Sequence, residues 1–531
     1  MRKIYFLFCL LFLKAMLNVL LATGKKAEGM VKDAIKSVDI VKCDVLTQDI
    51  GIAAFSTPKT LKRALERHFK SEKPDLILVS GLCKSDFSSL EKEIGTPIRL
   101  GPKHAYDLSD VLPFAEEIQF SSHIAADEFI ATKRKEHAKT QLDELERHVN
   151  PNFELKGVKI GSGARMKVCA EIVDATLLSA DAIQRKMDYY MENGADIIDL
   201  GVHIGAKPDE VKKAVKAALS ATNAPPLSVD TLDAELILAG IETGVDMVLS
   251  LTKENIPVVS GEIANNDIAA VVIPDSSPES LFTNIKMAKA HGIKRLIADP
   301  VLNAIGYGIA NSLYHYYLFR LKDKSTPLFF GVGNVTELID ADSEGVNATL
   351  AGIASELNAD ILFAPEHSDK ARGSVRELRV ASEMMMLSKA RKSAPKDIGL
   401  DLLMLKEKRR RQIIKFHDKH SITAIETEGW KLDPKGCFRI GICDVEGKGS
   451  MIYAEHLPTK KRIVGRSAKA VMDTILRLDL VSLLEHATYL SKELTKAELA
   501  LRLDRSYEQD EELFISFLML ARNMQLLGVQ Q

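Results

Sequence analysis

The sequence predicts an α/β protein: a central (β/α)8 TIM barrel, flanked by a small N-terminal parallel α/β domain and a C-terminal α+β domain. Three observations carry this. Strand, turn and helix alternate from 159 to 395, a length that suits the ~250 residues of such a barrel. Short apolar runs also alternate with helical patterns over 16–128. A hairpin-like pair followed by two long helical stretches occupies the chain after 400.

The 531 residues allow about three domains. Hydrophobic residues make up 46% and charged residues 27%, an ordinary globular composition. With 71 Lys and Arg against 73 Asp and Glu, the net charge is −2. That balance gives no reason to expect a nucleic-acid partner and excludes an acidic disordered chain. Six cysteines without a CxxC pair argue for a reducing cytosol and against a zinc or disulfide framework.

Residues 1–15 join a basic start to a short apolar run and resemble a signal peptide. Lys14 and Asn18 interrupt the run short of a membrane span. A third reading fits better: a self-sufficient domain starts at Met16, and 1–15 extend it from an upstream start codon. The expected location is then cytoplasmic.

In the first domain, strands are predicted at 17–22, 38–41, 75–79 and 97–100, with a helix over 59–68 after Thr57-Pro58. Ligands of parallel sheets bind beyond the carboxyl ends of strands, so Gly24, Ser80 and Gly81 would border any site there. There is no GxGxxG or GxxxxGK[ST]. Residues 129–158 form a linker, charged and helical in period to 150, and read as solvated.

Barrel strands are predicted at 167–173, 196–200, 227–229, 246–250, 258–260, 269–273, 295–298, 328–331 and 360–363. That is nine candidates for eight places, and the ambiguity lies at 256–274. Helices are predicted over 180–192, 208–220, 233–243, 279–290 and 345–357. Beyond 400, a basic helix over 406–411 reads as a solvated face. Strands follow at 438–444 and 449–454, then helices over 467–478 and 480–502 and a helical, apolar tail from 511. Met384–Met386 read as buried helix.

Barrel chemistry sits where strands end at their carboxyl side. Asp199 (in DIIDLG), Asp230 (in LSVDT) and Asp299 (in LIADP) fall there, and Asn334 follows another strand. Each acid can also cap the next helix, and the two roles are compatible. Together they suit a flat heterocycle whose amidine edge donates two N–H bonds to a carboxylate. Asn334 can both donate and accept. His203 and Lys207 could touch an anion or serve as loop polar groups.

The stretch 194–201, the Ser228-Val-Asp-Thr231 box with Gly244-Val-Asp246 beyond it, and Asp299-Pro300 resemble the pterin-binding barrel of dihydropteroate synthases. The same barrel occurs in methyltetrahydrofolate:corrinoid methyltransferases. Over about 16–531 the chain resembles the archaeal dihydropteroate synthase-related proteins. The resemblance implies that Asp230 and Asp299 hold a pterin, with Asn334, Asp199 and Ser250 as further pterin-binding positions. The family's Asn after the fourth strand falls at Leu249 or Ser250 here, and the synthases' phosphate-holding Lys, Arg and His are not matched after the seventh and eighth strands. Gly331-Val-Gly-Asn-Val335 is similar to the methyltransferase segment whose Asn contacts the pterin.

The C-terminal motifs at 433–438, 464–468 and 484–494 resemble a domain related to the corrinoid-carrying subunit of tetrahydromethanopterin S-methyltransferase. The corrinoid-binding His position falls at Arg462, so no corrinoid ligand is identified. His456 and His486 read as ordinary polar or packed histidines.

The resemblance implies a transferase acting on a reduced pterin in folate- or methanopterin-type metabolism. The first form condenses a dihydropterin pyrophosphate with an arylamine, with Mg²⁺ on the leaving group. The alternatives are a methyltransferase with a separate corrinoid protein, or a non-catalytic pterin carrier. The expected partners are a small-molecule pterin and, on the methyl-transfer reading, the corrinoid protein. A homodimer is admissible. No nucleic acid and no stable membrane partner are expected.

Overall fold

A computed structural model describes residues 16–514, apart from 37, 69–72, 397, 407–421 and 426–430. The chain divides into two compact units, 1–410 and 411–531.

The first unit opens with a four-stranded parallel sheet in the order Lys42–Gln48, Asn18–Gly24, Leu76–Val79, Ile98–Leu100. Alternate residues of its central strand face opposite ways, so both faces must be covered. Val19 and Leu21 pack with Val31 and Ala34 of helix Glu28–Ile35. Leu20 and Ala22 pack with Leu61 and Leu65 of helix Pro58–His68 and with Leu90. The second strand lies at Lys42–Gln48, not at the predicted 38–41. Val41 is buried just before it, and its apolar cluster drew the prediction four residues early.

Helix Ala126–His148 is not a solvated connector. Ala126 and Ile130 join the core of the four-stranded sheet. Two turns and more further on, Ala138 and Leu142 join the core outside the barrel. Charge covers the remaining surface, which hid this narrow stripe from a reading of composition.

The barrel strands run Lys167–Ile172, Ile197–Gly201, Leu227–Asp230, Met247–Leu251, Ala269–Val272, Leu296–Ala298, Phe329–Phe330 and Ile361–Ala364. They pair in sequence order and in parallel, and the eighth returns to the first. The sixth and seventh meet through one bridge, Ala298 to Leu328. Inside lie Cys169, Ile197, Met247, Leu249, Val271, Ile297, Phe329 and Phe363. The hairpin Phe153–Leu155 with Val158–Ile160 plugs the amino-terminal end with Leu155 and Ile160. Outward positions such as Val168, Ala170, Ile198, Val229 and Val248 pack against the helices.

The ninth candidate strand is part of helix Ile256–Asn265. Pro257 in its first turn is preorganised for a helix. Ile256, Val259 and Ile263 recur at helical spacing and are fully buried. The β-branched Val258-Val259 pair mimicked a strand because burial decides such short apolar runs.

The second unit, described by itself, is an antiparallel meander, Phe438–Val445, Gly449–His456 and Lys461–Gly465. The third strand was not predicted. Helices Ala468–Arg477 and Leu484–Arg502 pack on the meander through Val471, Ile475, Leu490 and Leu494. Asp433 is buried and accepts from the Ser482 hydroxyl (2.6 Å) and the Ser482 and Leu483 amides (2.9 Å each). His486 Nδ1 stands 3.1 Å from it. Burial pushes the Asp433 carboxyl up, but these donors win and hold it below the usual carboxylate range. His456 is buried and spends both ring nitrogens, on Lys435 O (2.7 Å) and Thr459 Oγ1 (2.8 Å). The helix predicted over 406–411 and the tail from 511 lie largely outside the described residues. Among the described residues no helix is long and apolar enough to cross a membrane.

Candidate functional site

The period-2 pleat places alternate residues inside the barrel. Following Cys169 on the first strand, the next inward position is Glu171; following Ile197 on the second come Asp199 and Gly201. The third strand turns Ser228 and Asp230 inward, and Asp299 extends the line of Ile297. Four carboxyls therefore gather at the carboxyl end of one barrel.

Asp199 lies deepest. Its Oδ1 accepts from the Ser228 hydroxyl at 2.5 Å, and its Oδ2, wholly buried, has no hydrogen-bond partner among the described residues. Burial, then the Asp230 and Glu171 charges, push its pKa well above the ordinary value. Asp230 ends its strand and accepts from the Ser250 hydroxyl at 2.6 Å; burial raises its pKa. Asp299 accepts from the Tyr316 hydroxyl (2.6 Å) and the Val301 amide (2.8 Å). Burial still lifts it to about 6. Glu171 is pushed to about 7 by burial and by Asp230, Asp174 and Glu337. None of the leading influences on these four acids is a cation.

Gly201 explains where Glu171 goes. A Cβ there would stand 2.4 Å from Glu171 Oε1. The glycine leaves the room that the Glu171 carboxyl fills.

Ser250 has left-handed backbone, with φ +64. Asn255 supports it by donating to the Ser250 carbonyl at 3.1 Å and the Leu232 carbonyl at 3.2 Å. An amide thus stands behind the fourth strand after all, though it buttresses the loop. Asn334 is exposed on the short turn Gly333–Thr336 after the seventh strand. It donates to the Leu302 carbonyl at 2.9 Å, joining the loops after the sixth and seventh strands. His203 is engaged by Thr176 at 2.7 Å, and the Lys207 amide donates to Glu210.

Asp174, Val301 and Glu366, after the first, sixth and eighth strands, and Ser250, near the end of the fourth, are non-glycine residues with positive φ. Such backbone costs about 1–3 kcal/mol per residue and clusters at functional sites. Large apolar side chains also stand exposed on five of the loops at this end: Leu177, Ile204, Leu232, Ile305 with Tyr307, and Leu338. Tyr307 is 83% exposed and Ile204 completely so.

Of the residues expected from sequence, Asp199, Asp230 and Ser250 form one connected neighbourhood with Ser228, and Asp299 and Asn334 flank the sixth–seventh junction. Glu171, Tyr316 and Asn255 were missed. Glu171 carried the same signal as the others, an acid ending an apolar run in phase with inward residues. Among the described residues no three His, Cys, Asp or Glu side chains are arranged to hold a metal ion. The Mg²⁺ that the resemblance implies would ride on a pyrophosphate leaving group, and such an ion takes one or two carboxylates plus phosphate oxygens rather than a seat of three side chains.

A family model described as PterinBD-DUF4346 matches residues 432–510, and one described as a family of unknown function, DUF6513, matches residues 17–103. The chain is 36% identical to the uncharacterized protein MJ0107 of Methanocaldococcus jannaschii, over 95% of this chain and 100% of that one. Among solved structures it is similar to the Yersinia pestis dihydropteroate synthase, at 17% identity over 45% of this chain and 99% of that one, with a TM-score of 0.37. The Xanthomonas albilineans dihydropteroate synthase with 4-aminobenzoic acid gives 19% identity over 46% and 100%, with a TM-score of 0.38.

Proposed function

The chain belongs to the family of the archaeal protein MJ0107, and on that premise we propose that its barrel mouth, which resembles the pterin-binding barrel of dihydropteroate synthases, holds a reduced pterin and acts on it as a transferase. The observation that carries this reading is that Asp230 and Asp299, after the third and sixth strands, lie at the same end of the barrel, each already taking a hydroxyl donor. A carboxylate so placed accepts the paired N–H donors of a 2-amino-4-oxo ring edge, in a site dry enough for the bonds to count.

The reaction first in line is condensation. The nitrogen of an arylamine attacks the exocyclic methylene of a dihydropterin pyrophosphate. The C–O bond breaks, pyrophosphate leaves with the electron pair, and the amine gives up a proton. Here the protein's part is positioning, worth several kcal/mol when the reacting atoms are held in line. A second reading, methyl transfer from a methylated tetrahydropterin to a separate corrinoid protein, is favoured by the apolar rim of Leu177, Ile204, Leu232, Tyr307 and Leu338. Exposed apolar groups around an opening suit a protein partner. It is also favoured by the acidic mouth, where Glu171, Asp199, Asp230 and Asp299 would repel an anionic pyrophosphate.

Calorimetric titration of the full chain with 6-hydroxymethyl-7,8-dihydropterin and with its pyrophosphate separates these. Binding tightened by the pyrophosphate supports condensation, and equal binding supports methyl transfer. Asp230→Asn should weaken either ligand by ten- to a hundredfold. Undiminished binding by that variant, or none by the unmodified chain, overturns the pterin reading.

A further inference from the structure

We propose that Glu171 is a further ligand-contacting residue of this mouth: it meets the bound ring as a neutral carboxyl that donates its O–H to a ring acceptor atom, while Asp230 and Asp299 accept the ring's N–H groups. This rests on the pterin reading above and adds to it the division of donors and acceptors at the site.

The geometry begins with Gly201, whose missing side chain is replaced by the Glu171 carboxyl. That carboxyl is half-buried and reaches the mouth of the barrel. Among the described residues no hydrogen bond to it is found. The nearby polar groups cannot satisfy it as an anion. Asp199 lies opposite on the second strand, in register with Glu171. Asp230 stands on the third strand, Asp174 on its own loop, and Glu337 after the seventh strand; the last three all oppose its ionisation. Tyr190, from the first barrel helix, spends its hydroxyl on the Glu171 and Pro365 carbonyls, at 3.1 and 2.8 Å. An independent observation lies beneath. Asp199 Oδ2 is wholly buried and unpaired, so the floor of the cluster cannot be a row of bare anions. Like charges this close do not all ionise.

A ligand seated on Asp230 and Asp299 fixes those two as anions and expels water from above Glu171. Both effects favour the neutral Glu171 carboxyl. Its proton then requires an acceptor, which a ring carbonyl or ring nitrogen supplies. The ligand class is therefore a heterocycle with acceptors between its donors, and a purely cationic edge is excluded.

The test is calorimetry of the full chain with 6-hydroxymethyl-7,8-dihydropterin at pH 6.5 and 8.5, in two buffers of different ionisation enthalpy. The unmodified protein should bind roughly 25-fold more weakly at pH 8.5 than at pH 6.5, since ionising a group that titrates near 7 must be reversed there. It should also take up close to one proton at that pH. Glu171→Gln, whose amide copies the neutral carboxyl as a donor, should bind about equally at both pH values with no uptake. Zero proton uptake by the unmodified protein overturns the proposal without any variant. So does a Glu171→Gln protein that keeps the pH dependence or loses binding at both pH values. Failure of the unmodified protein to bind withdraws the pterin reading and this one together, whereas a failure confined to the Glu171 comparisons leaves the pterin reading standing.

Discussion

Val301 is the most conspicuous single residue of the site. A β-branched side chain at φ +67 is a backbone outlier. Its amide donates to Asp299, the acid two positions back, and that bond fixes the turn. Glycine would relieve the strain, at about 1–3 kcal/mol. It would also lose part of a half-buried side chain and loosen the unfolded chain by about 0.5–1 kcal/mol. The expected outcome for Val301→Gly is a stability within about 1 kcal/mol of the original, read by chemical denaturation. A loss above about 2 kcal/mol, usual for a valine cut back to glycine in ordinary backbone, would show that no strain is stored there. At this scale the sequence was informative about acids and uninformative about what supports them. Asp199, Asp230 and Asp299 each end an apolar run, and that pattern is local. Tyr316 and Asn255 reach the site from helices and loops some distance along the chain, and no local pattern records where a side chain will arrive. Glu171 was legible by the same rule as its neighbours.

Among the elements, helices Ser343–Glu356 and Ser374–Arg391 meet through a buried polar cluster. Glu377 accepts from Asn347 at 2.7 Å and Ser343 at 3.0 Å, while Asn347 also bonds Thr336 and Ser374. Burial outweighs those donors and lifts Glu377 to about 7. A raised acid binds its proton more tightly folded than unfolded, so its stability penalty is absent at low pH and grows as pH climbs through the folded value. Glu377→Gln should therefore raise the thermal midpoint at pH 8.5, by an amount equivalent to about 1–2 kcal/mol, and leave it unchanged near pH 5. A midpoint lowered at both pH values would show that the charge is needed. Elements were mostly legible where period and length agreed, as in the helix Ala180–Glu192. Legibility failed at Ile256–Asn265, where ten residues with two adjacent valines carry too little period to separate helix from strand. It failed again at Lys461–Gly465, a short strand that buries only Ile463.

For the whole molecule, the titration of stability follows from one shared trait. Glu171, Asp299, Asp360 and Glu377 are all raised, to between about 6 and 7, with burial as the leading cause each time. The folded chain thus holds more protons than the unfolded chain between about pH 4 and 7. The denaturation midpoint of the ligand-free protein should fall from pH 5.5 to 8, and a flat or rising curve would contradict these assignments. The three-part architecture was legible because each part keeps its own rhythm of apolar runs. The bridging role of helix Ala126–His148 was not, because two cores share one helix at opposite ends and each sees only a few of its residues.

The sixth–seventh junction has a consequence for every substitution near it. Backbone joins those strands by a single bridge, and the seventh strand is two residues long. Side chains do the remaining stitching. The Tyr316 hydroxyl lies 2.6 Å from Asp299 and 3.0 Å from the Phe329 carbonyl, and Asn334 reaches the Leu302 carbonyl. The barrel is in this sense a hoop with a clasp, and two of the residues expected to grip the ligand are also teeth of the clasp. Altering Asp299 or Asn334 removes a grip and slackens the hoop in one stroke, so weaker binding after either change has two causes that cannot be told apart. Asp230 sits three strands away, on a strand paired with both of its neighbours, and the one side-chain bond it accepts, from Ser250, is a bond that an Asn oxygen can keep, so Asp230→Asn separates recognition from scaffolding better than a change at either tooth.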